Sequence, residues 1–324
     1  FLSQRGMKPQ SANDNLTTFP HNRGAALIAI LWVIAILSLA VFSATQLLFV
    51  SLVNDSNDSS IFRAEQLADR GIAIASHPKV ERSDPLLRQN LTDEESYETH
   101  ISSEGDRLNL NSLLESHATN RIVLEELFVR WGLRRDRAED VIDNLIDWVD
   151  ADDESTNQGA ERSFYLKQGR LNQPFNRRFD ALDEVALVNE FNLVASVKPD
   201  WKDAFTLMSA GQLDLNEAPA ELIACACQIG MVVAEEFVEL RNGFDRIPGT
   251  EDDLRYESLD QALGELRIPV PLRETVSPRV AISDPSRRII SVGRSGTIAV
   301  ERAVTVQYNN QVGGIMKWTT RRIE

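Results

Sequence analysis

The pattern of hydrophobic and polar positions begins with an apolar run that is long enough to cross a membrane. Residues 24–54 contain no charged side chain, and about 20 apolar residues are enough to span a bilayer core as a helix. In "SSIFRAEQLADRGIAIASHP", at 59–78, apolar residues then recur at helical spacing until Pro78 ends the helix. The pattern predicts one helix over 25–77, about 80 Å long, whose first half is apolar on all sides and whose second half is amphipathic.

The residues before the apolar run set its orientation. Arg5, Lys8 and Arg23 precede the run with a single acid, Asp14. The positive-inside rule therefore leaves the N terminus in the cytoplasm and sends the remaining chain across the membrane. A secretory signal peptide is disfavoured, because its apolar region is shorter and ends at a small-residue cleavage site. The simplest interpretation is a type II membrane anchor.

Alternating apolar and polar positions predict strands near both ends of the remaining chain. A short alternation around Tyr97, Thr99 and Ile101 ends at a turn formed by Gly105 and the residue after it. The last segment, 281–324, contains the turns "RSGT" and "NNQVGG" with β-branched residues between them. This segment is predicted to form three antiparallel strands.

The segments between these strands follow the helical period. They are "IVLEELFVRWGL", "DRAEDVIDNLIDWV", "LDEVALVNEF", "APAELIACACQI", "MVVAEEFVELRNG" and "SLDQALGELR". The predicted fold is therefore α+β. A long N-terminal helix and an antiparallel sheet, formed by 25–107 and 281–324, are interrupted by a large all-α inserted domain at 108–280.

The charge distribution supports the same boundaries. The net charge of the chain is −15, and residues 108–280 hold 33 acidic and 18 basic side chains, whereas the remainder holds 16 of each. The insert therefore carries the whole excess of negative charge. Because nucleic-acid phosphates require a basic face, the sequence predicts no nucleic-acid partner.

Two similar phrases occur in the insert, "LNLNSLLES" at 108–116 and "LDLNEAPAELI" at 213–223. In each, Asn111 or Asn216 precedes a helical pattern and is predicted to cap that helix by accepting a hydrogen bond from a free backbone amide. Pro219 suits the first turn of the second helix. The phrases also resemble helix-hairpin-helix modules, some of which bind the DNA backbone, but the acidic charge of this region disfavours DNA binding.

The phrase "DWVDADDESTNQGAERSFY", at 147–165, is the most specific candidate for binding chemistry. Ca²⁺ takes six to eight oxygen ligands, and a twelve-residue loop can supply them at set positions. Asp150, Asp152 and Glu161 fit positions 1, 3 and 12 of such a loop, whereas Ser155 stands where the sharp turn of an EF-hand needs glycine. Two interpretations remain open: a calcium site without the EF-hand fold, or an exposed acidic loop screened by salt.

No catalytic motif is found in the sequence. The four histidines form no paired metal-binding spacing, and neither a serine elbow nor a phosphate-binding glycine loop occurs. Cys225 and Cys227 point to different faces of a helix, so a bond between them would be strained. The sequence predicts that both are small buried thiols and that the chain is not an enzyme.

The start of the apolar run resembles that of type IV pilins and pseudopilins, which a prepilin peptidase cleaves after a glycine preceded by a basic residue. Arg23 and Gly24 stand in those places, so the resemblance implies cleavage between Gly24 and Ala25, with methylation of the new N terminus. The fifth mature residue of the class is usually Glu, which neutralises the terminal amine of a neighbouring subunit; here it is Ala29. Because an unpaired carboxylate in a bilayer is costly, a subunit without it suits the end of a filament.

Five phrases in one order resemble the general secretion pathway protein K family, the large minor pseudopilin of type II secretion. They are "RGAALIAILWVIAILSLAV", "LNLNSLL", "DWVDADDESTNQGAERSFY", "RFDALDEVALV" and "LDLNEAPAELI". The resemblance implies a prepilin leader at 1–24, a type IV pilin-like domain at 25–107 and 281–324, and an α-helical domain inserted at 108–280. It also implies a protein of the bacterial inner membrane whose soluble part lies in the periplasm.

The same resemblance implies partners and a metal. Members of the family join the I- and J-type minor pseudopilins in a complex that caps the pseudopilus tip and supports export across the outer membrane. They also bind calcium in the insert, which is carried over here to Asp150, Asp152 and Glu161, with Asp147 and Asp153 as further candidates. Two alternatives stay open: a calcium-binding type II membrane protein unrelated to filaments, and a DNA-uptake pseudopilin with helix-hairpin-helix-like modules.

Overall fold

The computed structural model describes the backbone of residues 23–250, 252–309 and 312–323. It divides the chain into two compact units, Phe1–Asp58 and Ser59–Glu324. Helix α1 (Arg23–Ala75) begins in the first unit and ends in the second, and it confirms the predicted long N-terminal helix. In the first unit, Leu27–Gln46 is long and apolar enough to cross a membrane, and none of it is buried. One N-terminal apolar helix of this kind fits a single-pass anchor.

The strands of the second unit form one large sheet and two short pairs. They are β1 (Arg88–Asn90), β2 (Glu95–Ser103), β3 (Leu108–Asn109), β4 (Phe205–Thr206), β5 (Leu213–Asp214), β6 (Val280–Ala281), β7 (Ser286–Ser295), β8 (Ile298–Asn309) and β9 (Val312–Ile323). The large sheet is antiparallel, with strand order β1-β2-β7-β8-β9. Strands β2 and β7–β9 confirm the four strands predicted from the alternation, whereas β1 and the short pairs were not predicted.

The second half of α1 lies close to the sheet because small residues meet at the contact. A Cβ atom added to Gly293 of β7 would come within 1.9 Å of the Ala64 carbonyl oxygen and 2.5 Å of the Ala68 amide nitrogen. Ala64 and Ala68 are fully buried. Gly71 of the helix faces the sheet with equally little room. The distance between helix and sheet is therefore set by backbone contact.

A cluster of ion pairs also joins α1 to the neighbouring strand, β8. The Arg302 guanidinium lies 3.1 Å from a Glu65 carboxylate oxygen and 3.1 Å from an Asp69 carboxylate oxygen. Both acids are on α1, one helical turn apart, so they present their carboxylates on the same face. This pairing gives the helix a defined rotation on the sheet, because the opposite face carries neither acid.

Between β2 and β7, the described residues form ten α-helices. They are α2 (Leu110–Glu115), α3 (His117–Arg130), α4 (Arg135–Val149), α5 (Arg162–Lys167), α6 (Leu182–Val185), α7 (Asn192–Val197), α8 (Ala220–Cys227), α9 (Met231–Arg241), α10 (Leu259–Glu265) and α11 (Val270–Val276). They confirm the predicted α+β fold with helices between the strands of the sheet, although two short strand pairs also lie there, the helix predicted at 182–191 is broken and Glu190 has a positive φ of 63°. The insert has its own hydrophobic core, separate from that beneath the sheet. The boundaries at 108 and 280 stay a prediction.

The insert consists of two halves, 108–206 and 213–281, with the same order of features. Each half starts with a short strand that leads towards a helix. Each ends with a strand that pairs in parallel with the first, β3 with β4 and β5 with β6. The two similar phrases noted in the sequence are therefore the equivalent starts of two similarly closed segments.

An asparagine side chain closes a loop in each half. Asn111 donates to the Phe179 carbonyl at 3.0 Å and accepts from the Phe179 amide at 2.9 Å, and Asn216 makes the same pair with Tyr256 at 3.0 and 2.9 Å. The prediction that these asparagines are helix caps is wrong. Their side chains satisfy a distant peptide group, 68 and 40 residues away along the chain, which no local pattern reveals. In the phrase at 213–223, helix α8 begins at Ala220, and Pro219 is its N-cap residue.

Replacing Gly293 with alanine should destabilise the protein by about 1–3 kcal/mol, since the added methyl meets backbone atoms that cannot rotate away. The expected result is a lower melting temperature by far-ultraviolet circular dichroism. Gly264 in α10 is the matched control, because its added Cβ would meet only an Arg273 side-chain nitrogen at 3.6 Å. Since alanine is better than glycine in a helix by about 0.5–1 kcal/mol, G264A should keep or raise the melting temperature. Equal melting of G293A and the unchanged protein would contradict the close contact.

Candidate metal centre

Three carboxylates meet where α4 ends and α5 begins. Asp147 lies in the last turn of α4, Asp150 is the residue that ends this helix, and Glu161 immediately precedes α5. The ten residues between Asp150 and Glu161 form a loop that returns the chain to its starting point. One oxygen from each of the three carboxylates lies within 4.8 Å of the other two. The first and last positions of the predicted twelve-residue loop are thus together in space.

Two of the carboxylates are buried, Asp150 is half-buried, and several of their oxygens have no partner. Asp147 and Glu161 are 0% and 2% exposed. Neither oxygen of Glu161 receives a hydrogen bond, and Asp150 has one buried oxygen without a partner. A buried charge without a partner is unfavourable. The three residues therefore bring carboxylate oxygens together, those of Glu161 and one of Asp150 without a partner, which is the ligand chemistry that Ca²⁺ prefers.

Asp147 is the residue whose orientation is most tightly set. Both of its oxygens accept from the Thr156 amide, at 3.1 and 3.2 Å. A Cβ atom on Gly159 would lie 1.9 Å from Asp147 Oδ2, so only glycine leaves room for the carboxylate. Gly159 is position 10 of the twelve-residue loop, too late for the sharp turn of an EF-hand. Its actual contribution is space beside a ligand candidate, a contact that spacing within the loop does not show.

The polar side chain of Asn144 holds the second half of the loop. Asn144 is fully buried on α4 and donates to the Gln158 carbonyl at 3.0 Å, while its own carbonyl accepts from Asn189 at 3.0 Å. Asp143, on the same helix, accepts from the Gln158 amide at 3.2 Å. Helix α4 therefore positions the loop backbone as well as two of the three carboxylates.

An aromatic cluster surrounds the helix that carries the site. Trp148 is fully buried, and its ring contacts Tyr165 and Phe175 edge to face, with centroids 5.4 and 5.3 Å away. Apolar rings exclude water and lower the local dielectric constant, which makes every charge interaction stronger. The same cluster gives the site an optical reporter, since the fluorescence of Trp148 depends on its surroundings.

Burial and mutual repulsion raise the pKa of all three carboxylates. Burial raises the pKa of Glu161 to about 7, and the charges of Asp147 and Asp150 add to the effect. Burial also raises the pKa of Asp150 to about 6, with further contributions from Asp152 and Asp147. The pKa of Asp147 is raised by burial, against the hydrogen bonds from Thr156, which lower it. A divalent cation would offset each of these unfavourable terms by supplying the opposite charge.

Asp152 and Asp153 lie apart from the three-residue cluster. Both are exposed, and Asp152 accepts from the Glu154 amide at 2.8 Å within the loop. Asp153 lines a shallow surface groove with Arg162. The structure thus brings together three of the five predicted ligands, and the roles of Asp152 and Asp153 stay predictions.

Two amide side chains near the loop were missed in the sequence reading. Asn176 donates to the Asp152 carbonyl at 3.0 Å, and its own side-chain oxygen is buried without a partner. Gln173 likewise has a buried, unpartnered side-chain oxygen. Neutral amide oxygens are ordinary calcium ligands, but their types carry no charge signal in the sequence. A search of the sequence for clustered acidic residues therefore does not find Gln173 and Asn176.

The other sequence-predicted features fall partly outside the described residues. Gly24 and Ala25 lie within the backbone of α1, whereas residues 1–22 of the predicted leader lie outside the described part of the chain. Cys225 and Cys227 are buried and free, as predicted. Burial raises the pKa of each thiol to about 12, so neither is a reactive thiolate at neutral pH.

Comparison with known proteins gives three concordant results. Residues 106–199, which include the acidic loop, match the family model of type II secretion system protein K. The type II secretion system protein K of Pseudomonas aeruginosa is 24% identical over 229 residues, which is 67% of each chain. The crystal structure of the GspK–GspI–GspJ complex from enterotoxigenic Escherichia coli contains a chain of similar fold. That likeness has a TM-score of 0.61 and 14% identity, and it covers 84% of this chain and 99% of the other.

The metal-free protein should lose stability between pH 5 and pH 8 through Glu161. Its pKa in the folded protein, about 7, exceeds its ordinary value, so the folded state binds the proton more tightly than the unfolded state. The resulting stability is complete at low pH and is lost as pH rises through about 7. E161Q removes this titration and should flatten the pH dependence of the melting temperature, measured with chelator present. An unchanged slope in E161Q would contradict the buried, ionisable state of Glu161.

Proposed function

We propose that this chain, whose residues 106–199 match the model of the type II secretion system protein K family, belongs to that family and caps the tip of a pseudopilus as a minor pseudopilin. In this role it joins I- and J-type minor pseudopilins and supports protein export across the outer membrane. Its contribution is assembly rather than catalysis. The GspK chain similar to this one was solved in complex with GspI and GspJ, which supports the same type of partner here.

The observation that carries the proposal is the long, acid-free first half of α1. The helix extends over 53 residues, and no charged side chain occurs between Gly24 and Asn54. Such a segment can rest in a bilayer as a single-pass anchor and later enter the apolar centre of a helical filament, since both surroundings accept apolar side chains on every face. The pilin-like half of the molecule is then the filament part of the subunit.

The tip position follows from what this helix lacks. A subunit inside the filament must neutralise the terminal amine of its neighbour with a carboxylate near its own N terminus. With cleavage before Ala25, the fifth residue is Ala29, which offers no charge. A buried amine without a counter-ion is unfavourable, so this subunit is poorly suited to repeat along a filament. At the tip no further subunit follows, so no neighbouring terminal amine needs a carboxylate from this chain.

The acidic site has a structural role in this proposal. Ca²⁺ held by Asp147, Asp150 and Glu161 would join the end of α4 to the start of α5, with Gln173 and Asn176 as additional oxygen donors. The metal supplies positive charge to buried carboxylates, and the protein supplies the closed loop that positions them. Because the loop lies within the inserted domain, calcium stabilises the domain that distinguishes this chain from a simple pilin-like protein.

Calcium should raise the melting temperature of the full chain, because a ligand bound only by the folded state stabilises it. Calcium added after chelation should also change the fluorescence of the buried Trp148. The variant D150N/E161Q should lose both responses. E154Q is the matched control, since Glu154 is exposed in the same loop and removing it changes the loop charge without removing a clustered oxygen.

The same addition of calcium tests whether the two exposed aspartates, Asp152 and Asp153, are metal ligands. If Asp152 or Asp153 is a ligand, D152N or D153N weakens the calcium response; if neither is, both variants match E154Q. No thermal shift on addition of calcium to protein shown to be metal-free would reject the site altogether.

Cells without prepilin peptidase should accumulate a protein that is about 2.5 kDa heavier, from 24 leader residues at about 110 Da each. Cleavage removes residues 1–24 and leaves Ala25 as the N terminus, which mass spectrometry of the mature protein identifies. R23A, which changes the residue before Gly24, is a sequence-specific companion test and should slow processing. An uncut bond in the functioning protein would instead favour a calcium-binding type II membrane protein unrelated to filaments.

A further inference from the structure

A large apolar tip projects from the second half of the insert. The loop after α9, residues 242–254, exposes Phe244 completely and leaves Ile247 57% exposed. Large aromatic side chains are rarely left in water at full exposure, because burying one contributes more than burying almost any other residue. Neither residue belongs to the acidic site or to the hydrophobic core of the insert.

The tip is held in shape by hydrogen bonds within its own loop. Asp252 Oδ2 accepts from the amides of Phe244 and Asp245, at 2.7 and 3.2 Å. Asp245 Oδ1 accepts from the Ile247 amide at 2.8 Å and from the Thr250 hydroxyl at 3.3 Å. These bonds fix the backbone on both sides of the apolar side chains. The loop therefore cannot easily fold Phe244 back onto the protein.

Backbone geometry at the base of the loop supports the same conclusion. Gly243 has a φ of +67°, and a Cβ atom there would lie 2.4 Å from Asp252 Oδ2. Glycine is needed both for the left-handed conformation and for the approach of the carboxylate. At the other end of the loop, the Leu254 amide donates to the Arg241 carbonyl at 2.8 Å. The tip is thus a closed, pre-organised projection, which lowers the entropy lost on binding.

Further exposed apolar side chains lie on α9 and at the end of the loop. Val232 and Leu240 are 65% and 48% exposed on α9, and the exposed Glu236 lies midway between them in the sequence. Leu254, at the end of the loop, is 40% exposed. Large apolar side chains exposed close together in the sequence, as at 240, 244, 247 and 254, are typical of interaction sites. We name Val232, Leu240, Phe244 and Ile247 the apolar tip surface.

The charges beside this surface are mostly negative. Among the described residues of 235–254, the acids are Glu235, Glu236, Glu239, Asp245, Asp252 and Asp253, and the bases are Arg241 and Arg246. Arg241 is buried, Arg246 lies 3.7 Å from Glu239, and Arg267, outside this range, pairs with Glu236 at 2.7 Å, which leaves Glu235, Asp245, Asp252 and Asp253 without an ion pair among these residues. The rim therefore presents an excess of carboxylates. This pattern repels anionic lipid headgroups and attracts a basic protein surface.

We propose that the apolar tip surface docks into a partner protein, at an apolar recess bordered by lysine and arginine side chains. Phe244 and Ile247 enter the recess, and the acidic rim pairs with its basic border. This interaction goes beyond tip capping and does not depend on it, because it rests on the exposed residues of the insert alone. The acidic site in the first half and the apolar tip in the second then serve separate roles.

The test uses the full chain in phosphatidylcholine nanodiscs and a fluorescent synthetic peptide with leucines on one helical face and lysines on the other. Fluorescence anisotropy should show saturable binding that weakens as salt rises, because exposed charges are screened. The variant F244S/I247S should bind at least about tenfold more weakly, since two apolar side chains lose their burial. L171S, which removes an apolar side chain that is 67% exposed in the first half of the insert, should bind as the unchanged chain does.

A second probe separates the apolar contact from simple charge attraction. The same peptide with glutamates in place of lysines should bind at least about tenfold more weakly than the lysine peptide. Equal affinity of F244S/I247S and the unchanged chain would overturn the proposal, as would equal affinity for the two peptides. Stronger attachment of the unchanged chain than of F244S/I247S to phosphatidylglycerol vesicles, without peptide binding, would also overturn it in favour of a membrane contact. Matching melting temperatures confirm that the variants are folded.

Discussion

The antiparallel pairing of β2 with β7 is the contact on which the arrangement of this protein depends. The two strands pair over nine residues, from Glu95 opposite Ser295 to Ser103 opposite Arg287. Everything between them, residues 104–285, leaves the sheet at one strand and returns at its neighbour. Because the cost of closing a loop grows only slowly with its length, a whole domain can occupy this connection.

Carboxylates at the two ends of the insert fasten it to the sheet. Arg288 of β7 donates to Asp106 at 2.8 Å, beside the point where the chain leaves β2. Asp284 accepts from the Ser286 amide at 2.7 Å and from the Ala210 amide at 2.8 Å. Burial raises the pKa of Asp106 and of Asp284, so these contacts matter through their hydrogen bonds as much as through charge. They join the departing segment, the returning segment and the link between the two halves of the insert.

The two halves of the insert use acidic loops in opposite ways. After α4, the carboxylates of Asp150 and Glu161 keep oxygens without partners, and the loop is suited to a cation. After α9, Asp245 and Asp252 spend their oxygens on amides of their own loop, and the loop exposes apolar side chains instead. Each half has the same closing strand pair and the same asparagine side chain bonded to a distant peptide group. The loop after α4 nevertheless has carboxylate oxygens without partners, whereas the carboxylates of the loop after α9 are hydrogen-bonded within that loop. Composition alone treats both as acidic loops.

Periodicity by itself determined the long N-terminal helix, the three terminal strands and the helical character of the middle, because those signals lie in neighbouring residues. Spacing also brought forward Asp150 and Glu161, since a twelve-residue loop has ends that can meet. Tertiary structure alone decided that Asp147 joins them while Asp152 does not, that Gly159 makes room for a carboxylate, and that Asn111 and Asn216 bind peptides far along the chain. Such contacts depend on which segments fold against each other, and a side chain's type does not specify a partner that is 40 or 68 residues away.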